Sequence, residues 1–136
     1  MSTAILKTET LPVAGDADVI AVRQAVRARV VELGFGLVDQ TKTITAASEL
    51  ARNTLIHGGG GTVRVDLLQD GARRGVRMAF EDRGPGIVDV ESALRDGYST
   101  GTGLGLGLGG ARRLVNEFEL DSGPGRGTRV TITKWK

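Results

Sequence analysis

Glu49 and Asn53, in the stretch SELARN, are a pair whose spacing could do chemistry. Four residues apart on a helix, they project from one face about one turn apart. A carboxylate there can take a proton, and an amide oxygen can enter a magnesium ion's coordination shell. Arg52 lies beside the pair and could reach a phosphate with two parallel hydrogen bonds. The plain alternative is a solvated polar helix face above core positions Leu50 and Ala51. His57, at the predicted end of the same helix, reads as a cap on the final carbonyls or a weak phosphate contact rather than a catalytic base.

A second group, Asp82, Gly84, Gly86 and Ile87 in EDRGPGI, directly follows an apolar strand. An ionised aspartate only accepts hydrogen bonds, which suits an exocyclic amine such as that of adenine. The glycines let backbone approach a ligand, although Gly-Pro-Gly is equally the punctuation of an ordinary turn.

The third group is STGTGLGLGLGGARR, residues 99–113, where glycine alternates from Gly101 to Gly109. Alternation ordinarily signals a strand, but glycine loses the most entropy on ordering and makes a poor strand interior. Gly105, Gly107 and Gly110 satisfy G-x-G-x-x-G, yet no apolar strand precedes them and the acidic residue expected about 20 positions onward is missing. The V-A-I-K strand of a protein-kinase loop and the Gly-Lys-Ser/Thr ending of a P-loop are also absent. What remains is a mobile phosphate cover from Ser99 to Gly105, feeding a helix that starts over Gly107 to Arg113. Leu104, Leu106 and Leu108 would be costly to leave in water, which argues against a plain linker.

Holding these groups falls to a chain of 136 residues, 40% hydrophobic, enough for one domain spanning 1–136. The net charge of +2, without charge runs, and one Trp, one Tyr and three Phe point away from a nucleic-acid surface. With no cysteine, disulfides and thiolate metal sites are excluded, and a single histidine leaves little for zinc. No stretch reads as a signal peptide or membrane span, so a cytoplasmic location is expected.

AILKTET reads as a weak strand. Asp16 is placed to cap a helix carrying Val19, Val22, Val26, Val30 and Leu33 at helical spacing, ended by Gly34 and Gly36. A second helix is expected from near Asp39 to Ile56, with its threonine-rich first half the weaker part. TVRVDLLQD and VRMAFED read as strands around the turn GARRG. VESALRDG suggests a short helix and ARRLVNEF another, before a closing hairpin of FELDS, the turn GPGRG and TRVTITKW, with Trp135 on the sheet edge. Helices and strands arriving in blocks predict an α+β fold: a mixed, mostly antiparallel sheet with helices on one face.

The order of the motifs carries more than any one of them. E-x-x-x-N on a helix, D-x-G-x-G after a strand, a glycine-rich lid and a late Gly-Thr entering a strand together resemble the GHKL ATPase superfamily. That group includes the ATP-binding domains of gyrase B, Hsp90, histidine kinases and MutL, and its Bergerat fold is a two-layer α/β sandwich. LGFGLVDQTKTITAASELARN, EDRGPGI, DGYST, RLVNEF and the terminal KW are similar to RsbT-type serine/threonine kinases of bacterial stress-response partner switching. The similarity runs from about Asp18 to Trp135. HGGGG at 57–61 and the repetitive lid are richer in glycine than that pattern, which predicts an unusually mobile loop after the helix.

The resemblance implies ATP and Mg2+ as cofactors. By it Glu49 is the general base for the attacking hydroxyl, Asn53 the magnesium ligand, and Arg52 the subgroup's arginine beside it. Asp82 bonds the adenine amine, with Gly84, Gly86 and Ile87 shaping the pocket and Thr128 near the base. Ser99, Thr100, Gly101, Thr102, Gly103, Leu104, Gly105, Leu106 and Gly107 form the lid over the phosphates. The implied substrate is a serine on a STAS-domain antagonist, the implied output partner a PP2C-type phosphatase, and a homodimer is left open. The rival readings are an anti-sigma factor kinase that binds a sigma factor directly, a non-catalytic ATP-binding module, and an α+β domain with no nucleotide site.

Overall fold

The computed structural model describes residues 3–87, 94 and 107–136. Strand β1 (Ala4–Val13) leads into helices α1 (Asp16–Glu32) and α2 (Leu37–Ile56). A hairpin of β2 (Gly61–Asp70) and β3 (Arg73–Asp82) follows. Helix α3 (Gly107–Arg113) then precedes a second hairpin of β4 (Glu117–Gly123) and β5 (Gly127–Trp135).

The strands form one sheet in the order β1-β2-β3-β5-β4. Every pairing among the described residues is antiparallel, so the sheet expected to be mixed and mostly antiparallel has no parallel pair among them. Two tight hairpins and the helix-linked return of β2 onto β1 set that direction.

Side chains alternate across a strand, and here the alternation divides the sheet cleanly. Val63, Val65 and Leu67 of β2, Val76, Met78 and Phe80 of β3, and Val130 and Ile132 of β5 join one buried cluster with the helices. Val19, Val22, Val26 and Val30 of α1 and Ala46, Ala47, Leu50 and Ala51 of α2 supply the other layer. Each fully buried Val, Leu, Ile, Met or Phe side chain among them contributes about 1.5–3 kcal/mol of transfer free energy. The fold is therefore α+β with helices on one face, as the periodicities require.

Helix α1 ends as its glycines predict. Gly34, at φ 78, donates to the Val31 carbonyl at 3.0 Å while Phe35 donates to Val30 at 3.0 Å, which pairs two otherwise orphaned carbonyls. Its start differs from expectation. Gly15 is the N-cap, Asp16 is already helical, and it is Asp18 that accepts the Ala14 amide, at 2.8 Å. Helix α2 begins two residues early, at Leu37. Its hydroxyls settle into it by bonding carbonyls one turn back: Thr41 to Leu37, Thr43 to Asp39, Ser48 to Ile44 and Thr54 to Leu50.

Three further expectations change. The first hairpin turns over Gly71 and Ala72 alone, because Asp70 already pairs with Arg73. ARRLVNEF is not one helix: α3 stops at Arg113, and Asn116 donates its amide to Thr133 at 3.0 Å, so Glu117 and Phe118 enter β4. Trp135 lies on β5, an interior strand, across from Gly75, with Arg73 stacked 3.9 Å from its ring centroid. Of the short helix expected over VESALRDG only Leu94 is described, partly buried on the core. No helix among the described residues is long and apolar enough to cross a membrane.

Candidate functional site

Register brings four residues of distant sequence into one row across the sheet. Gly61 of β2 pairs with Asp82 of β3, Asp82 with Thr128 of β5, and Thr128 with Ser122 of β4. Phe80 and Val130, two residues before and after along their strands, are core residues, so the Asp82 and Thr128 side chains lie on the helix-covered face. At Gly61 a methyl group would overlap the Glu81 carbonyl of β3 and come 3.0 Å from Thr54 Cγ2, so only glycine fits between that strand and the last turns of α2.

Asp82 is held by the backbone that follows it. Its Oδ1 accepts the Gly84 amide at 2.8 Å, the geometry of a carboxylate folding the chain into a tight turn. A side chain at Gly58 would overlap the Asp82 carboxyl group, and one at Gly84 would come 2.8 Å from Gly58 Cα. Two stretches far apart in sequence, HGGGG and EDRGPGI, thus meet backbone to backbone beside this carboxylate. The glycines after α2, expected to give a mobile loop, are tied down here: Gly58 donates to Asn53 at 3.3 Å and Gly60 to Thr54 at 3.0 Å. Gly86, at φ 80, packs its Cα against the Gly123 carbonyl where no side chain would fit.

The Ile87 amide donates to Ser122 Oγ at 2.8 Å; that oxygen also bonds the Gly127 carbonyl at 3.0 Å and Thr128 Oγ1 at 2.8 Å. One serine therefore joins the D-x-G-x-G loop to the row. A cavity of about 280 Å3 lies at this end of β3, β4 and β5, lined by Glu81, Arg83, Asp121, Arg126 and Arg129 as well as by Asp82, Ser122, Gly127 and Thr128; Glu49, Asn53, Gly84 and Ile87 do not line it.

Helix α2 supplies the other half. Glu49 is 5% exposed and Asn53, one turn on, is half-buried. Arg52 Nη1 stands 3.6 Å from Glu49 Oε1. The His57 amide closes the helix on the Asn53 carbonyl at 2.9 Å, a capping role for its backbone. Gly107 is the first residue of α3 and is buried, as is Leu108. Ser99, Thr100, Gly101, Thr102, Gly103, Leu104, Gly105 and Leu106 lie outside the described residues.

Gly58 and Ser122 were not singled out from the sequence. Ser122 could have been found by counting back across the GPGRG turn, which pairs it with Thr128. Gly58 carries no such signal, since its constraint comes from Asp82 and Gly84, which only the fold brings near.

This arrangement has relatives. Residues 38–136 match the family model described as histidine kinase-, DNA gyrase B-, and HSP90-like ATPase. The chain belongs to that family. Within this ATPase family it is of the RsbT type: it is 45% identical over 118 residues to the serine/threonine-protein kinase RsbT of Bacillus subtilis, covering 87% of this chain and 89% of that one. It is also 30% identical over 97 residues to an anti-sigma F factor of Thermoanaerobacter sp. (strain X514), covering 67% of this chain and 66% of the other.

Solved structures share the ATPase-family fold at lower identity. A crystal structure of the RsbU and RsbW domains of a Mycobacterium tuberculosis protein superposes with a TM-score of 0.63 at 24% identity, covering 100% of this chain and 33% of that one. The SiaB-SiaC complex from Pseudomonas aeruginosa gives 0.52 at 14% identity, covering 97% and 91%.

Proposed function

We propose that this chain, as one domain over residues 1–136, moves the γ-phosphoryl group of ATP to a serine on a small STAS-domain antagonist. Glu49 carries the reading: a buried carboxylate that receives no hydrogen bond from the described residues, one turn from Asn53, in a chain 45% identical to a protein named as a serine/threonine-protein kinase. Glu49 accepts the hydroxyl proton as the serine oxygen bonds to the γ-phosphorus and the bond to the β–γ bridging oxygen breaks, releasing ADP.

Asp82 accepts from the adenine amine with Thr128 beside it, while Gly84, Gly86 and Ile87 shape the base pocket. Arg52 reaches the phosphates, and Ser99 to Gly107 supply lid amides to them. Asn53 would hold Mg2+. The donor set is compatible with that ion: an amide oxygen one helical turn from a buried carboxylate. Mg2+ keeps most of its shell as water and phosphate oxygens and needs no protein cage. Bound there, it would neutralise triphosphate charge.

Phosphorylation of the antagonist frees the kinase to engage a PP2C-type phosphatase in the cytoplasm. The test is transfer of labelled phosphate from ATP to the STAS protein encoded nearest this chain, with the acceptor serine mapped. Incorporation that Glu49→Ala abolishes supports the reading, and equal incorporation by the variant sinks the assigned base. The identity to anti-sigma F factors favours one second reading, a kinase that binds a sigma factor directly. Capture of a sigma factor in place of a phosphatase selects it.

A further inference from the structure

The Ser122 hydroxyl makes three polar contacts, and a hydroxyl has one proton to give and two lone pairs to receive with. The Gly127 carbonyl can only accept, so its 3.0 Å contact requires Ser122 to donate. The Ile87 amide can only donate, so it takes one lone pair, at 2.8 Å. The remaining lone pair faces Thr128 Oγ1 at 2.8 Å, and that contact is a hydrogen bond only if Thr128 donates. A single assignment satisfies all three. It commits the Thr128 proton to Ser122, which leaves Thr128 only acceptor lone pairs for a base held beside its register partner Asp82.

We propose that Ser122 sets the polarity of the base pocket: by holding Thr128 as an acceptor, it makes the site select purines with an amine at C6 over purines with a carbonyl there. The inference rests on the proposed placement of the base against Asp82 and Thr128. Asp82 alone discriminates little, because its carboxylate accepts equally from the C6 amine of adenine or from the N1–H of a 6-oxo purine. Thr128 decides. Locked as an acceptor, it welcomes a second amine hydrogen and opposes a carbonyl oxygen. Released from Ser122, its hydroxyl can rotate and donate to that oxygen. Ser122 is a positioning residue that acts through Thr128.

The probe pair is ATP and inosine triphosphate, which differ only by the C6 amine and the accompanying N1 proton. Binding is measured by calorimetry on the full chain. The wild-type chain is expected to favour ATP by at least tenfold, and Ser122→Ala to narrow that ratio by about tenfold, chiefly through tighter inosine triphosphate binding. Ser122→Thr, which keeps the hydroxyl, should restore the ratio. A purely structural role would weaken both nucleotides alike, and an unchanged ratio in Ser122→Ala overturns the proposal. Should Ser122→Ala fail to fold, Thr128→Val leaves the other two Ser122 bonds in place. It must narrow the ratio too, or the proposal fails. A wild-type chain that binds neither nucleotide overturns the nucleotide site itself; one that binds ATP while the variants keep its ratio overturns only the role of Ser122.

Discussion

Asp66 on β2 and Glu49 on α2 are both acids taken out of water, at 2% and 5% exposure, and the fold provides for them in opposite ways. Asp66 lies on the face away from the helices, where its oxygens receive Arg64 Nη2 at 2.9 Å, Arg77 Nη2 at 3.0 Å and the Thr8 hydroxyl at 2.9 Å. Burial by itself pushes its carboxyl upward. The bonds from Arg64, Thr8 and Arg77 outweigh that and hold it below the usual carboxylate range. Glu49 has, among the described residues, one polar contact, Arg52 at 3.6 Å, which is beyond hydrogen-bond length. A saturated carboxylate fastens three strand residues together and has nothing left for a ligand. One whose oxygens receive no hydrogen bond from the described residues keeps them available to a ligand.

The largest expected effect tests that division directly. Glu49→Gln keeps the shape and removes the base, so phosphate transfer should fall by about 100- to 10,000-fold with folding retained. Its melting temperature should stay close to wild type, since the one ion pair lost, to partly exposed Arg52 at 3.6 Å, adds little. Asp66→Asn should leave transfer near the wild-type rate once the protein is folded. Comparable loss of transfer in both variants would break the comparison.

Asp66→Asn should instead lower stability, by about 1–3 kcal/mol near neutral pH. The figure sits at the low end for a buried charge pair because Arg64 and Arg77 are 50% and 31% exposed and can turn to water. The sign with pH follows from the depressed carboxyl. Its stabilisation is fully present above the ordinary carboxylate range and is lost as pH falls through the lower, folded-state value. Denaturant titrations across acid pH should therefore show the gap between wild type and variant closing on the acid side. A gap constant with pH would remove Asp66 from the account of acid stability.

How much of this was legible in the sequence depends on how far apart the partners lie. The valines of α1, and Glu49 with Asn53, are set by helical period within a few residues, and they stand where that period places them. Asp82 reads as a strand-end acid for the same local reason. ARRLVNEF misleads because Leu114 and Phe118 have helical spacing, while Phe118 and Leu120 also alternate; sheet pairing with β5 decides for the strand. Gly58 was illegible because what constrains it is set by Asp82 and Gly84, and Ser122 was legible only as the partner of Thr128 across the GPGRG turn, not as the acceptor of the Ile87 amide. Those neighbours arrive only through sheet register and loop approach.

A third acid, Asp82, stands between the two extremes, with one oxygen on the Gly84 amide and its carboxyl group pressed against Gly58. Gly58→Ala must displace that carboxylate, so ATP affinity should drop by about tenfold, the cost of losing one charge-assisted hydrogen bond. Gly15→Ala is the control. Gly15 has extended backbone at φ −163 with nothing within 4 Å of an added methyl, so its affinity should stay unchanged. Equal losses in both variants would mean that Asp82 does not hold the base.

The smallest effect separates the two roles open to Arg52. Its side chain is 35% exposed and meets Glu49 only at 3.6 Å, so the pair adds little to the fold, within about 0.5 kcal/mol. Arg52→Gln should thus melt like wild type, unlike any change to Asp66. If the guanidinium reaches the triphosphate, the variant raises KM for ATP about three- to fivefold and leaves kcat nearly untouched, because the contact is shared by ground and transition states. That is the expected result. A fall in kcat at constant KM would instead tie Arg52 to the Glu49 carboxylate during transfer, and Glu49 would then be a partnered acid after all, narrowing its distance from Asp66.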